Sequence, residues 1–72
     1  MTNYHINIFY SPDDEGYIAD IPDLMHCSAF GETPQQALEE VLIAQRLWLD
    51  AATQNGHDIP KAQYRPVIYH AG

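Results

Sequence analysis

Positive charge is what this chain has least of. Arg46, Lys61 and Arg65 stand against ten carboxylates, which leaves a net charge of −7 over 72 residues. Such a surface repels a nucleic-acid backbone, so direct DNA or RNA binding is not expected. Cysteine is nearly absent as well. The single thiol, Cys27, has no intramolecular disulfide partner, and with no charged-then-apolar leader the expected compartment is the cytoplasm. Long apolar runs are missing: nothing approaches the roughly 20 residues that a membrane-spanning helix requires, so no membrane contact is expected. What is there is 46% hydrophobic, too apolar for a disordered acidic tail. The length makes one domain, residues 1–72, with one small core. A chain this short buries only about 60% of its unfolded surface, and assembly into a dimer or tetramer is the expected help.

The order of elements is readable. Residues 4–10, "YHINIFY", are aromatic and β-branched and end in a turn, Ser11-Pro12-Asp13-Asp14-Glu15-Gly16. Residues 17–21, "YIADI", form a second strand stopped at Pro22-Asp23, and residues 25–30 resume an extended pattern before Gly31. Thr33 as N-cap, Pro34 at the first helical position and Gln36 three residues after the cap predict a helix start. Ala37, Leu38, Val41, Leu42, Ala44, Trp48, Leu49 and Ala52 fill one broad helical face, and Asn55-Gly56 supplies the stop. A last strand over 65–70, "RPVIYH", is marked as an edge by Pro66. The expectation is an α+β fold of order β-β-β-α-β. A right-handed crossover sets the last strand parallel to the first, giving a four-stranded mixed sheet of order 3-2-1-4 with one helix on one face. The other face, or the edge carrying Val67, Ile68 and Tyr69, is then open to a second copy.

The stretch "PDLMHCSAFGETPQQAL" holds the cysteine, a histidine and turn residues, and invites a catalytic reading. Strand alternation argues against one. Met25, Cys27 and Ala29 fall on one face and His26, Ser28 and Phe30 on the other, so thiol and imidazole point apart and cannot make a nucleophile–base pair. His5, Asp20 and His26 share a strand face on paper, yet no short-spaced ligand pair supports a metal. Asp13, Asp14 and Glu15 are explained as turn residues, Glu39 and Glu40 as helix surface, and only Asp20 is an acid borne on a strand. No catalytic residue, metal ligand or cofactor is expected. Ile43 and Leu47, one turn apart, fall on the side of the helix that carries Glu39, Glu40, Asp50 and Gln54, which leaves two readings open, an exposed interface patch or the margin of a wide core-facing stripe.

Taken together, Gly16-Tyr17, Pro22-Asp23-Leu24, Cys27, Gly31-Glu32-Thr33, Ala37-Leu38, Gly56, Ile59 and Pro60 give the chain a pattern that resembles the HicB-like antitoxin family. It departs from that pattern at Met25-His26, where Pro-Gly often precedes the cysteine, and at Ile43-Ala44, where Glu-Ala is usual. The resemblance implies a partial RNase H-like domain without the catalytic acid set, whose partner is a small basic HicA-like toxin, an mRNA interferase. The chain is then expected to bind and neutralise that toxin, not to act as an enzyme. Asp13, Asp14, Glu15, Glu40 and Asp50 would face the basic surface, with Ile43 and Leu47 as apolar anchors. Two alternatives stand beside it: an orphan homo-oligomeric binding module without a toxin, and a residual metal-dependent nuclease.

Overall fold

The structure is a computed structural model that describes residues 3–65. It shows an α+β arrangement of three strands, β1 (Asn7–Ser11), β2 (Gly16–Asp20) and β3 (Ser28–Gly31), followed by a helix, α1 (Pro34–Gln54). Both strand pairings are antiparallel and the order is β1-β2-β3. The expected fourth strand, and with it Val67, Ile68 and Tyr69, lies outside the described residues.

Register decides which side chains meet the helix. Ile8 pairs with Ala19 and Ala19 with Ala29, while Tyr10 pairs with Tyr17 and Tyr17 with Gly31. These residues share the face on which α1 lies. The opposite face carries the row Phe9, Ile18, Phe30 and, beside it, Asn7, Asp20, Ser28. Ala19, Ile21, Leu24, Cys27, Ala37 and Val41 form the buried core with Tyr4, and Leu38, Ala44, Trp48 and Leu49 pack around it. Leu42, expected on the core-facing stripe, stands largely exposed. It lies a full 100° from Val41 on the wheel, past the rim of the contact.

The helix ends are specified by local chemistry. Thr33 has extended backbone angles, and its hydroxyl accepts the Gln36 N–H at 3.1 Å. The Gln36 side chain reaches back to the Glu32 N–H at 2.6 Å, one residue earlier than the reciprocal bond of a standard capping box. At the other end Gly56 adopts φ +74°. Its N–H donates to Thr53 O, and the His57 N–H donates to Ala52 O at 2.9 Å. That is a Schellman stop, which needs the left-handed conformation that glycine adopts at no steric cost.

Two strand boundaries differ from expectation for tertiary reasons. β1 begins at Asn7, not residue 4. Ahead of it the buried Tyr4 donates its hydroxyl to Pro60 O, and His5 bonds the Asn7 side chain at 2.6 Å and packs at a 47° tilt against the Tyr64 ring. β3 begins at Ser28, because residues 22–26 form a tight loop and not a strand. The Leu24 N–H donates to Ile21 O, the Cys27 N–H to Leu24 O and the Ile21 N–H to Cys27 O, all within 3.0–3.1 Å. His26 turns the chain there at φ +61°. Met25 is thereby ejected to 72% exposure, away from the core face that alternation assigned to it.

Candidate partner-binding surface

The outward side of α1 is built by helical spacing alone. Ile43, Leu47 and Ala51 recur every four residues and so form a stripe along the axis. Ile43 is 56% and Leu47 65% exposed, and Ala51 is exposed too. Glu39 and Glu40 sit one turn before Ile43 and Asp50 sits one turn after Leu47, all solvent-facing. Among the described residues Arg46 is the lone cation on this flank. Three carboxylates against one guanidinium leave the stripe with a negative border.

At its C-terminal end the stripe runs into a hollow of about 570 Å³ lined by Met25, Trp48, Ala51, Ala52, Asn55 and His57. The Trp48 indole is fixed there, since its Nε1–H donates to Met25 O at 2.9 Å. The bond joins the loop of residues 22–26 to the helix and leaves the Met25 side chain on the rim. Alternation hid this feature by placing Met25 in a strand. The signal for it was the histidine before the cysteine, a residue type enriched in left-handed turns.

The hairpin acids are elsewhere. Asp13, Asp14 and Glu15 occupy the β1–β2 turn, beyond the Ser11–Gly16 pair and toward the helix N-terminus. By helical rise that end lies about 20 Å from Trp48. Asp14 is held by the turn, accepting from Ser11 Oγ at 2.8 Å, while its N–H donates to Ser11 O at 3.2 Å. Glu15 takes φ +52° to close the turn. The sequence-derived set therefore divides: Glu40, Ile43, Leu47 and Asp50 share one helix side, and the three hairpin acids form a separate cluster.

The cysteine stretch is scaffold in its contacts. Cys27 is buried, and burial pushes its thiol pKa up, whereas a nucleophile requires the pKa lowered. His26 is exposed. Asp23, whose role alternation did not reveal, accepts the backbone N–H groups of Gln63 and Tyr64 at 3.1–3.2 Å, and so ties the segment after the helix to the loop. His5, Asp20 and His26 are not brought together, and among the described residues no three histidine, cysteine or acidic side chains are grouped to hold a metal ion. Among the same residues no helix is long and apolar enough to cross a membrane.

Fold and surface thus define a small α+β domain whose distinctive exterior is an apolar helix stripe with an acidic border. Over 61 residues, 85% of this chain and 82% of the relative, the sequence is 38% identical to the UPF0150 protein ssl0259 of Synechocystis sp. (strain ATCC 27184 / PCC 6803 / Kazusa). The chain belongs to the UPF0150 family. No protein-family model matches the sequence, and no solved structure matches it.

Proposed function

We propose that the protein is a HicB-like antitoxin that acts in the cytoplasm by binding, not by catalysis, and neutralises a small basic HicA-like mRNA interferase. The observation that carries this reading is the exposed pair Ile43 and Leu47, bordered by Glu39, Glu40 and Asp50, in a chain of net charge −7. A toxin that grips RNA through a basic surface meets there the two things that such a surface recognises. Carboxylates stand where phosphates would lie, and desolvated apolar side chains supply affinity. The motif likeness from Gly16 to Pro60 supports the same reading.

The test is co-expression with any small basic protein that the neighbouring genes encode. Rescue of growth, with a 1:1 or other fixed-ratio complex on sizing, is the expected result. Absence of both would reject the antitoxin reading. A second reading, a homo-oligomeric binding module, is favoured by one observation: the row Phe9, Ile18, Phe30 on the sheet face away from α1, with Phe9 50% and Phe30 44% exposed. Light scattering at micromolar concentration, with Phe9→Ser and Phe30→Ser as probes, tests it, and a strictly monomeric wild type would count against it.

A further inference from the structure

We infer that the stripe Ile43, Leu47, Ala51 and the hollow beside Trp48 form one continuous dock for a basic amphipathic segment of a partner protein. The inference builds on the reading of the chain as the binder of a basic protein and says where and how that protein is held.

Three features select the occupant. The stripe is apolar at the four-residue spacing that matches a helix laid along another helix. It leads without a break, through Ala51, into a hollow large enough for a big aliphatic or aromatic side chain. The indole that walls the hollow is immobilised by its bond to Met25 O, so little side-chain freedom is lost when the hollow is filled. The border is acidic on both ends of the stripe, Glu39 and Glu40 before it and Asp50 after it, with Arg46 the only opposing charge on that flank among the described residues. A second copy would bring carboxylates against carboxylates there, which disfavours self-association through this face. A lysine- or arginine-rich segment with apolar residues on one side satisfies both the border and the stripe. The hairpin acids lie toward the N-terminal end of α1, which is about 20 Å from Trp48 by helical rise, and take part in encounter only.

Trp48 is the only tryptophan in the chain, so the hollow reports on itself. The probe is a synthetic amphipathic helix of leucines and lysines, with the same peptide carrying glutamates in place of lysines as control, titrated into the full chain while Trp48 emission is followed. The expected result is a saturable blue shift with the lysine peptide and none with the glutamate peptide. Leu47→Asp, and independently Ala51→Arg, should weaken the lysine peptide by at least about tenfold, as loss of a central anchor does. Both positions are exposed, and circular dichroism checks that the variants fold. Asp13→Asn, Asp14→Asn and Glu15→Gln together should change the affinity by less than about threefold at physiological salt, where distant charges are screened. Several results overturn the inference: no shift, equal response to both peptides, or hairpin variants that weaken binding as much as Leu47→Asp does. So does sedimentation showing a wild-type dimer that Leu47→Asp makes monomeric, since a second copy then occupies the face. The two readings fail separately. A toxin bound by a protein indifferent to the peptide and to Leu47→Asp leaves the antitoxin reading standing without this dock, and peptide binding without toxin binding does the reverse.

Discussion

The two faces of the sheet invert the usual distribution of size. In β2 and β3 the face under α1 is made of Ala19, Ala29 and Gly31 with one large residue, Tyr17, whereas the face turned away carries Ile18 and Phe30; β1 adds Ile8 and Tyr10 to the first face and Phe9 to the second. Small residues on the covered side let the helix come close: a Cβ placed on Gly31 would stand 2.2 Å from the Ala37 backbone nitrogen. Close approach brings Val41 and Ala37 to zero exposure against the small residues of β2 and β3. Burial therefore depends on how near two backbones lie as much as on side-chain size. Each face also has its own glycine under its own obstacle, Gly31 beneath the helix backbone and Gly16 beneath the Phe30 ring.

That pair of glycines gives the sharpest way to break the comparison. Gly31→Ala forces its methyl into the first turn of α1, where the nearest atoms are backbone and cannot rotate aside. The expected loss is about 3 kcal/mol or more, in the range of severe overpacking, or failure to fold. Gly16→Ala meets the far end of the Phe30 side chain at 2.4 Å and Gly31 O at 2.9 Å. The ring can swing toward solvent, so the loss should be about 1–2 kcal/mol. Adding Phe30→Ala should recover part of it, a coupling that urea melts of the two single variants and the double variant will read. Equal costs for the two glycines would show that the helix is not held against β3 as closely as the geometry has it.

Next in size is a gain. His26 holds a left-handed conformation with an exposed side chain, and a residue with a Cβ carries a penalty there of about 1–2 kcal/mol that glycine lacks. His26→Gly should raise stability by roughly 1 kcal/mol, less the backbone entropy that glycine loses on folding. Thermal melts measure it. A drop in melting temperature would mean that the imidazole is held by something the described contacts lack.

How much of this was legible beforehand divides along the same lines. The helix was readable at both ends because its signals are local: Thr33, Pro34 and Gln36 act within one turn, as do Asn55 and Gly56. The meander and its antiparallel order followed from the turn residues between strands. Boundaries failed where tertiary contacts decide them. Tyr4 is extended in pattern but belongs to the Pro60 contact, and Met25 alternates correctly with Cys27 but is turned out by His26. Of the site, the helical wheel set Ile43 and Leu47 on the acidic side of α1 and left a wide core-facing stripe open, and the structure shows both exposed. The hollow did not, since it needs the Trp48 bond to Met25, 23 residues apart, that periodicity cannot contain. Neither did the grip of Asp23 on Gln63 and Tyr64.

The smallest expected effect lies at Cys27, the neighbour of His26 that points to the covered side. It packs in the core with Ile21, Leu24 and Val41, and desolvation raises its thiol pKa above the ordinary value. The folded state thus favours the neutral thiol. Below the unfolded-state pKa both states hold the proton and no stability is lost. Once pH rises past that value, near 8.5 for a free thiol, the unfolded chain releases its proton first, and stability falls until the pH has passed the raised folded-state pKa. Cys27→Ser would bury a hydroxyl and confuse the test, so Cys27→Ala is the control. The wild type should lose slightly more stability than Cys27→Ala between neutral and mildly alkaline pH, by a fraction of a kcal/mol, because that range only begins to ionise the unfolded thiol. Labelling gives the same answer kinetically. An aromatic disulfide reagent should react with Cys27 in the folded protein far more slowly than in urea, at a rate that tracks opening of the core. Labelling of the native protein as fast as that of the unfolded chain would move Cys27 from the covered side to the open one, and with it the wall of the sheet on which the helix rests.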